Sequence, residues 1–254
     1  MKTLAVVNQK GGQAKTTSVF HIGEWAVKNK KRVLYVSLDP QKSLDLLLPS
    51  TGGEPGLLSS DLFKPESSKL QPEILDEYRS IIRADKMHYA DLDKAILNPA
   101  KHLRAFAKDF DLCVIDTPGS LGARVNAALV AADAVLCPVS VGLLEMAGLA
   151  DLWAFIDAVR KQKLNSRLRV MGMLPSKVNS KSPEEKEGLE ILRKQFGAAI
   201  FPHVLAERAA VKQSITKRRP VWVSTRGAGH LKAAAEWKAA CQAILMNLGV
   251  LHNG

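Results

Sequence analysis

Short apolar runs alternate with longer helical patterns along the chain. Five of the runs are apolar on both faces, which is typical of strands buried on two sides. These runs are Thr3–Asn8, Val33–Leu38, Leu112–Asp116, Ala134–Val139 and Arg169–Leu174. The helical patterns are Thr16–Lys28, Pro72–Arg83, Lys101–Lys108, Arg124–Ala131, Leu144–Arg160, Pro183–Phe196 and about Leu231–Leu248. This alternation predicts an α/β fold with a mostly parallel, doubly wound sheet and helices on both faces.

The stretch from residue 49 to residue 98 is less regular than its surroundings. It begins Pro-Ser-Thr-Gly-Gly-Glu-Pro-Gly, and we interpret it as a surface excursion with one or two helices. Apolar residues make up 46% of the 254 residues, which is enough for one large core. We therefore expect a single domain over residues 1–254.

Composition excludes several classes of protein. No apolar stretch reaches the roughly 18 uncharged residues of a membrane span, and the amino terminus lacks the pattern of a secretory signal. The three cysteines have no disulfide or metal-site spacing, and Cys113 and Cys137 fall in apolar runs where a small buried side chain is expected. These features predict an intracellular protein of a reducing compartment.

The net charge of +11 is concentrated in the carboxyl part of the chain. Residues 1–150 have a balance of +1, and residues 151–254 have a balance of +10. Within residues 191–238, ten basic side chains accompany two acidic ones, Glu207 and Glu236. Such a region attracts a polyanion, either nucleic acid or an anionic membrane surface. A solvated basic face that aids solubility is the alternative.

A glycine-rich turn joins the first predicted strand to the first predicted helix. Its residues are Gln9-Lys10-Gly11-Gly12-Gln13-Ala14-Lys15-Thr16-Thr17. This order of strand, glycine turn, Lys-Thr and helix is the context of a phosphate loop, whose backbone N–H groups bind phosphate oxygens. In such a loop Lys15 reaches the β- and γ-phosphates, and the Thr16 hydroxyl ligates Mg²⁺. We therefore expect residues 10–17 to bind a nucleoside triphosphate.

Two aspartates stand at the ends of predicted strands. A buried carboxylate at the end of a strand, such as Asp116, needs a cation or a strong donor, and it points into the crevice that the loop faces. A capping role in the next turn is the alternative for Asp116. Asp39 precedes Pro40, so a turn-forming role is open for it as well.

A second lysine in the loop carries a family resemblance. The string Lys10-Gly11-Gly12-x-x-Lys15-Thr16-Thr17 resembles the deviant Walker A box of the ParA/MinD group of P-loop ATPases. The segment from Val33 to Gln41, which ends Asp39-Pro40-Gln41, resembles the group's second motif. The segment Phe110–Pro118 resembles its Walker B strand. The resemblance covers nearly the whole chain and is greatest to small plasmid-partition proteins of the IncC kind.

The resemblance implies a P-loop fold of the deviant Walker A type and a weak, partner-stimulated ATPase with ATP and Mg²⁺. It implies a homodimer in which Lys10 reaches the partner's nucleotide. Catalytic roles fall on Lys10, Lys15 and Asp39, the last of which helps to position the attacking water. Mg²⁺ is held by Thr16 and Asp116.

The resemblance also implies that the ATP-bound dimer binds non-specific double-stranded DNA and releases it when a ParB-like centromere-binding protein stimulates hydrolysis. Residues 191–238 are then the DNA-facing region, since phosphate contacts need only charge and reach. The candidate residues are Arg193, Lys194, Lys212, Lys217, Arg218, Arg219 and Arg226. We expect a cytoplasmic, nucleoid-associated protein without an amino-terminal helix-turn-helix.

Three positions depart from the family's pattern. Ala14 replaces the glycine before the loop lysine. If this position needs a positive φ, alanine costs about 1 kcal/mol there and its methyl group crowds the phosphates, so we expect slower hydrolysis or dimer closure. Ser37 replaces an aspartate. Gly119 replaces a proline, so Asp116-Thr117-Pro118-Gly119 also fits the Asp-x-x-Gly of GTPases. Ser176-Lys177-Val178-Asn179 only loosely resembles a guanine-binding motif, and the family resemblance favours adenine.

Two other functions stay open. A MinD-like, membrane-associated positioning ATPase needs a basic amphipathic carboxyl tail, whereas no lysine or arginine follows Lys238. We therefore expect no membrane partner. A nucleotide-gated binding module with little turnover is the other possibility, which Ala14 favours.

Overall fold

The computed structural model describes residues 1–66, 71–85, 92–142 and 148–252. Within these ranges eight strands form one sheet, in the spatial order β3-β4-β2-β5-β1-β6-β7-β8. The strands are β1 (Lys2–Val6), β2 (Val33–Ser37), β3 (Glu73–Ile74), β4 (Arg79–Ile82), β5 (Leu112–Asp116), β6 (Ala134–Val139), β7 (Arg169–Val178) and β8 (Leu205–Ala206). Neighbouring strands are parallel except for β3 and β4, which confirms the predicted mostly parallel sheet.

Helices cover both faces of this sheet. They are α1 (Lys15–Lys28), α2 (Ser43–Leu47), α3 (Asn98–Ala105), α4 (Ala123–Ala131), α5 (Leu149–Lys161), α6 (Pro183–Phe196), α7 (Ala209–Thr216) and α8 (Ala228–Leu248). Alternate side chains of β1 enter two different apolar clusters, because successive residues of a strand point to opposite faces. One cluster includes α3, α4 and α5, and the other includes α1 and α8. The doubly wound arrangement is therefore confirmed.

Helix α6 has the boundaries that its sequence signals predict. The Ser182 hydroxyl accepts a hydrogen bond from the Glu185 backbone N–H at 3.2 Å, and Pro183 occupies the first turn. Gly197, with φ of 50°, follows the last residue. The predicted helix Leu144–Arg160 corresponds to α5, but its first residues belong to 143–147, which lie outside the described residues.

The prediction of a helix over Pro72–Arg83 is wrong. The segment forms the antiparallel hairpin of β3 and β4, and β4 pairs in parallel with β2, with Val33 opposite Arg79. Asp76 closes the turn by accepting hydrogen bonds from the N–H groups of Tyr78 and Arg79, each at 2.9 Å. The stretch 49–98 therefore contributes strands to the sheet, in contrast to the surface excursion that we expected.

The carboxyl ends of the central strands meet at one edge of the sheet. Asp116 of β5 lies in register with Val6 of β1 and with Ser37 of β2. The segments that follow β1, β2 and β5 carry the phosphate loop, Asp39 and Gly119 respectively. The topology therefore brings the three sequence motifs together.

Two expectations from the composition concerned the cysteines and membrane-spanning segments. The thiols of Cys113, Cys137 and Cys241 are all buried, as expected for the first two from their apolar surroundings, and burial raises the pKa of Cys137 to about 12. In the part of the chain that the structure describes, no helix combines the length and apolar character needed to cross a bilayer.

Candidate nucleotide site and cationic cleft

The glycine turn between β1 and α1 is tied to the end of β6 by side-chain hydrogen bonds. Asn8 donates from Nδ2 to the Pro138 carbonyl at 2.7 Å and accepts from the Lys10 N–H at 2.9 Å. Further along the loop, Gln13 Oε1 accepts from the Ser140 N–H at 2.7 Å. These bonds fix the path of the loop on both sides of Gly11 and Gly12. Its backbone N–H groups are therefore preorganised for an anion.

Lys15 lies at the base of the loop and is almost fully buried. Its Nζ donates to the Lys10 carbonyl at 2.9 Å. Burial lowers the pKa of the Lys15 ammonium, while the charges of Asp116 and Asp39 act in the opposite direction. A buried cation beside converging N–H groups is suited to neutralising the charge of phosphate groups.

Asp116 and Thr16 form the second half of the site. The Thr16 hydroxyl donates to Asp116 Oδ2 at 2.7 Å, and the Asp116 carboxyl is fully buried at the end of β5. Burial raises its pKa to about 7, although the Thr16 hydrogen bond lowers it. The other oxygen, Oδ1, is buried and has no hydrogen-bond partner among the described residues.

A buried carboxylate oxygen without a partner is costly, and a hard cation would satisfy it. The hydroxyl and carboxylate oxygens of Thr16 and Asp116 match the ligand preference of Mg²⁺. The residues present therefore fit the metal that the sequence predicts. Mg²⁺ held here would neutralise charge on the phosphate oxygens of a bound nucleotide.

Asp39 makes the turn-forming contact that its sequence left open and also lies at the cavity in front of the loop. Its Oδ1 accepts a hydrogen bond from the Gln41 N–H at 2.9 Å, which is the turn-forming contact. Asp39 also lines the cavity in front of the loop.

The residue before Asp39, Leu38, accepts a hydrogen bond at its carbonyl from Nη1 of Arg124 at 3.0 Å. Arg124 lines the same cavity and is a candidate site residue that the motifs did not indicate.

The cavity has a volume of about 1060 Å³. The loop residues from Gly11 to Thr17 line it, together with the segment after β2 that includes Asp39 and with residues 118–120 and 122–124 after β5. Lys177, Ile215, Thr216 and Arg218 line it from the carboxyl part of the chain. Segment 176–179, which loosely resembles a guanine-binding motif, contributes Lys177 to this lining. Its first three residues belong to β7.

Lys10 lies beside this cavity and is not among its lining residues. Its Cε is 3.5 Å from the position that a Cβ on Gly148 would occupy, and Gln9 donates to the Gly148 carbonyl at 2.5 Å. The side chain of Lys10 therefore packs beside Gly148.

Ala14 and Gly119 are departures from the family pattern that have visible structural consequences. Ala14 has φ of 61° and ψ of 20°, in the left-handed region that favours glycine. Ala14 therefore has the positive φ for which we expect alanine to cost about 1 kcal/mol. A Cβ at Gly119 would lie 3.2 Å from the backbone nitrogen of Gly11, so the absence of a side chain lets the segment after β5 approach the loop.

The predicted DNA-binding residues divide into groups. Arg193 and Lys194 end α6, where Arg193 pairs with Glu190 at 2.9 Å. Lys212 pairs with Glu207 at 2.7 Å. Arg218 lines the nucleotide cavity described above. The remaining three, Lys217, Arg219 and Arg226, converge on a separate cleft.

We call this second concavity the cationic cleft; it has a volume of about 380 Å³. Its lining residues are Gln213, Ser214, Lys217, Arg219, Val223, Ser224, Arg226 and His230. Three exposed cations and the exposed Ser224 hydroxyl are suited to bind a phosphate group, whereas the buried Ser214 hydroxyl donates to the Val211 carbonyl at 2.8 Å. Both acidic residues of segment 191–238 are engaged elsewhere, since Glu236 accepts from Arg208 Nε at 3.0 Å and Glu207 pairs with Lys212.

The chain is similar to known nucleotide-binding proteins. Residues 4–221 match the model of the CobQ/CobB/MinD/ParA nucleotide binding domain. Protein IncC of Escherichia coli is 30% identical over 98% of this chain and 70% of its own length. The chromosome-partitioning ATPase Soj of Thermus thermophilus is 28% identical over 87% of this chain and 89% of its own.

A solved structure has the same fold with a nucleotide present. Cobyrinic acid a,c-diamide synthase from Mycobacterium smegmatis, with bound ADP and magnesium, is 26% identical with a TM-score of 0.75. The alignment covers 98% of this chain and 95% of the synthase. Together with the geometry of the phosphate loop, Thr16 and Asp116, these similarities show that the chain belongs to the CobQ/CobB/MinD/ParA family of nucleotide-binding domains.

Proposed function

We propose that this protein is a Mg²⁺-dependent ATPase that partitions plasmid DNA. In this proposal the ATP-bound homodimer binds non-specific double-stranded DNA and releases it after ATP and water are converted to ADP and phosphate. Similarity to IncC and Soj supports a partition role. The protein acts as a single ATPase domain in the cytoplasm, on nucleoid DNA, and a ParB-like centromere-binding protein stimulates its hydrolysis.

The arrangement of α7 is the observation that carries this proposal. Ile215 and Thr216, at the end of α7, line the nucleotide cavity together with Arg218. Gln213 and Ser214 of the same helix line the cationic cleft. A nucleotide in the cavity therefore contacts the segment whose other side carries the cations. This gives nucleotide binding a direct physical route to the DNA-binding surface.

The proposed roles of the site residues follow from their surroundings. Lys15 and the N–H groups of residues 11–17 bind the phosphates, while Thr16 and Asp116 hold the metal. Asp39 orients the attacking water, since it lines the same cavity as the phosphate loop. Lys10, which lies outside the lining, contacts the nucleotide of the second subunit.

The direct test is DNA binding measured with ATP, with ADP and with a non-hydrolysable ATP analogue, each with Mg²⁺. We expect fluorescence anisotropy to show binding of a duplex with ATP and with the analogue and little with ADP. Two unrelated duplex sequences should bind equally, because phosphate contacts carry no sequence information. Equal affinity in all nucleotide states would contradict the proposal.

A nucleotide-gated binding protein with little turnover is the second candidate, and the positive φ of Ala14 favours it. Both candidates predict ATP-dependent DNA binding, so only turnover separates them. Phosphate release should be followed on DNA with the purified centromere-binding protein of the same plasmid. Release of phosphate with loss of DNA supports the ATPase, whereas DNA retention without phosphate release supports the binding module.

A further inference from the structure

A line of four hydrogen bonds runs from the cationic cleft to the phosphate loop. The Arg226 N–H donates to His230 Nδ1 at 3.2 Å, and His230 Nε2 donates to the Val221 carbonyl at 2.8 Å. The Val221 N–H donates to His21 Nε2 at 3.1 Å, and His21 Nδ1 donates to the Thr17 carbonyl at 2.8 Å. All four bonds point in the same direction along the chain of groups.

The two ring tautomers follow from the backbone partners. A peptide N–H can only donate, so His21 Nε2 and His230 Nδ1 must both be acceptors. The proton of each neutral ring is then on the other nitrogen, which faces a carbonyl oxygen. Every donor in the line therefore has an acceptor, and within each ring donation from one nitrogen strengthens the hydrogen bond accepted at the other.

His21 is held rigidly in this line. It is fully buried, with its ring stacked on Trp237 at a centroid distance of 4.2 Å. Trp222 contacts it edge-on at 5.4 Å. Burial lowers the pKa of His21 to about 4, so the ring stays neutral at pH 7 and keeps its donor and its acceptor. The His21 ring therefore joins the first turn of α1 to Val221 through two hydrogen bonds and is packed against two tryptophans.

The two ends of the line lie in the two functional concavities. Thr17 follows the lysine and threonine of the phosphate loop and lines the nucleotide cavity. Arg226 and His230 line the cationic cleft. Val221 lies in the loop between α7 and α8, which also carries Lys217 and Arg219. A nucleotide that orders the first turn of α1 would thus order the backbone that presents the cleft's cations.

We propose that His21 and His230 are positioning residues that couple nucleotide binding to the cationic cleft. The proposal rests on the proposed function, because it takes the cleft's partner to be a DNA phosphate. Ordering by the nucleotide lowers the entropy lost when the cleft binds its own ligand, which makes the two ligands bind cooperatively. Through this line, nucleotide binding at residues 10–17 orders the backbone of residues 217–226.

Two conservative variants interrupt the line at different places. His21→Asn keeps a donor for the Thr17 carbonyl but lacks the acceptor for the Val221 N–H. His230→Asn keeps an acceptor for the Arg226 N–H but lacks the donor for the Val221 carbonyl. The matched control is Trp25→Phe, which alters the same aromatic cluster by removing a hydrogen bond to Gln242 but does not touch the line.

The first measurement is the ratio of DNA affinities with the non-hydrolysable ATP analogue and with no nucleotide. We expect both histidine variants to lower this ratio about tenfold, within the usual range of coupling between sites. Affinity for the analogue itself should change less than threefold, and Trp25→Phe should keep the wild-type ratio. A wild-type ratio in folded His21→Asn and His230→Asn would overturn the coupling.

The second measurement needs no DNA, and its first part uses only the wild-type protein. Hydrogen–deuterium exchange of the full chain should show slower exchange over residues 217–226 when the analogue and Mg²⁺ bind. In His230→Asn, where the Val221 N–H keeps its acceptor, this slowing should be lost. Unchanged exchange over residues 217–226 in the wild type would overturn the coupling.

The outcomes separate the coupling from the proposed function. Slower exchange with no DNA binding in any nucleotide state would support the coupling and contradict the partition function. ATP-dependent DNA binding that both histidine variants retain would support the partition function and contradict the coupling.

Discussion

At the scale of single residues, Ala14 has a left-handed backbone conformation that glycine adopts far more readily than alanine. Ala14 directly precedes the loop lysine, and its φ is 61°. We predict that Ala14→Gly raises the free energy of unfolding by about 1 kcal/mol, as measured by urea denaturation. It should also raise the rate of phosphate release, because the methyl group adjoins the phosphate site. Equal turnover in the two proteins would contradict the second expectation.

Arg124 connects the start of α4 to the strand end that carries Asp39. Its hydrogen bond to the Leu38 carbonyl is charge-assisted, and such bonds contribute roughly 1.5–3 kcal/mol. We predict that Arg124→Gln lowers kcat for ATP hydrolysis about tenfold, which corresponds to about 1.4 kcal/mol in the barrier. Arg124→Lys is the control, since an ammonium can donate to the same carbonyl. Wild-type turnover in Arg124→Gln would exclude this role.

Site residues differ in how well sequence reveals them. Lys15 and Thr16 are predictable because a phosphate loop places its chemistry in consecutive residues after a strand. Asp116 is predictable because a carboxylate ending an apolar run needs a partner. Arg124 and His21 are not predictable in this way, since their partners Leu38 and Val221 are 86 and 200 residues distant in sequence.

At the scale of elements, the hairpin of β3 and β4 shows where local pattern fails. Apolar residues at 74, 75, 78, 81 and 82 have helical spacing, and the segment contains good helix formers. Its conformation is decided by partners elsewhere, namely the pairing of β4 with β2 and the ion pair of Arg79 with Glu24 on α1. Strands that are buried by their neighbours need no alternation of their own. Helix α6 is predictable because its cap, first-turn proline and terminal glycine are all local.

The ion pair of Glu24 and Arg79 should be important for this edge of the sheet. Glu24 accepts two hydrogen bonds from Arg79, each at 2.7 Å, and one from the Tyr35 hydroxyl at 3.0 Å. We predict that Glu24→Gln lowers the free energy of unfolding by about 2 kcal/mol, because the half-buried Arg79 loses charge-assisted hydrogen bonds and keeps only the exposed Asp76 as counter-charge. Urea denaturation measures the change.

Glu190→Gln is the matched control for this prediction. Its pair with Arg193 lies on the exposed face of α6, where such pairs contribute about 0–1 kcal/mol. A loss in Glu24→Gln that is no larger than the loss in Glu190→Gln would mean that the α1–β4 ion pair does not stabilise the fold.

At the scale of the whole molecule, stability should depend on pH through His21. The pKa of His21 is about 4 in the folded protein, because the ring is buried, and 6.5 for an unperturbed histidine such as that of the unfolded chain. Between these values the unfolded chain binds a proton that the folded protein does not, so the free energy of unfolding falls as pH decreases from 6.5 to 4. The loss approaches about 3 kcal/mol, at about 1.4 kcal/mol per pKa unit.

The measurement is the difference between wild type and His21→Asn in urea denaturation at pH 7, 6 and 5. Contributions of the other titrating groups largely cancel in that difference. We expect the asparagine variant to be less stable at pH 7, with the gap narrowing as the pH falls. A gap that stays constant over this range would show that the folded protein does not hold His21 neutral.

The whole molecule also has an uneven distribution of charge, and this sets how DNA binding should respond to salt. Each phosphate neutralised by a protein cation adds about 0.9 to the slope of log affinity against log salt concentration. Arg226 lines the cationic cleft, so Arg226→Gln should weaken ATP-dependent DNA binding equally for all sequences and reduce that slope by about 1. Lys186→Gln on the exposed surface of α6 removes the same charge from the molecule without altering the cleft. Equal effects of the two variants would mean that net charge alone attracts DNA, whereas a reduced slope in Arg226→Gln alone would place a phosphate contact in the cleft.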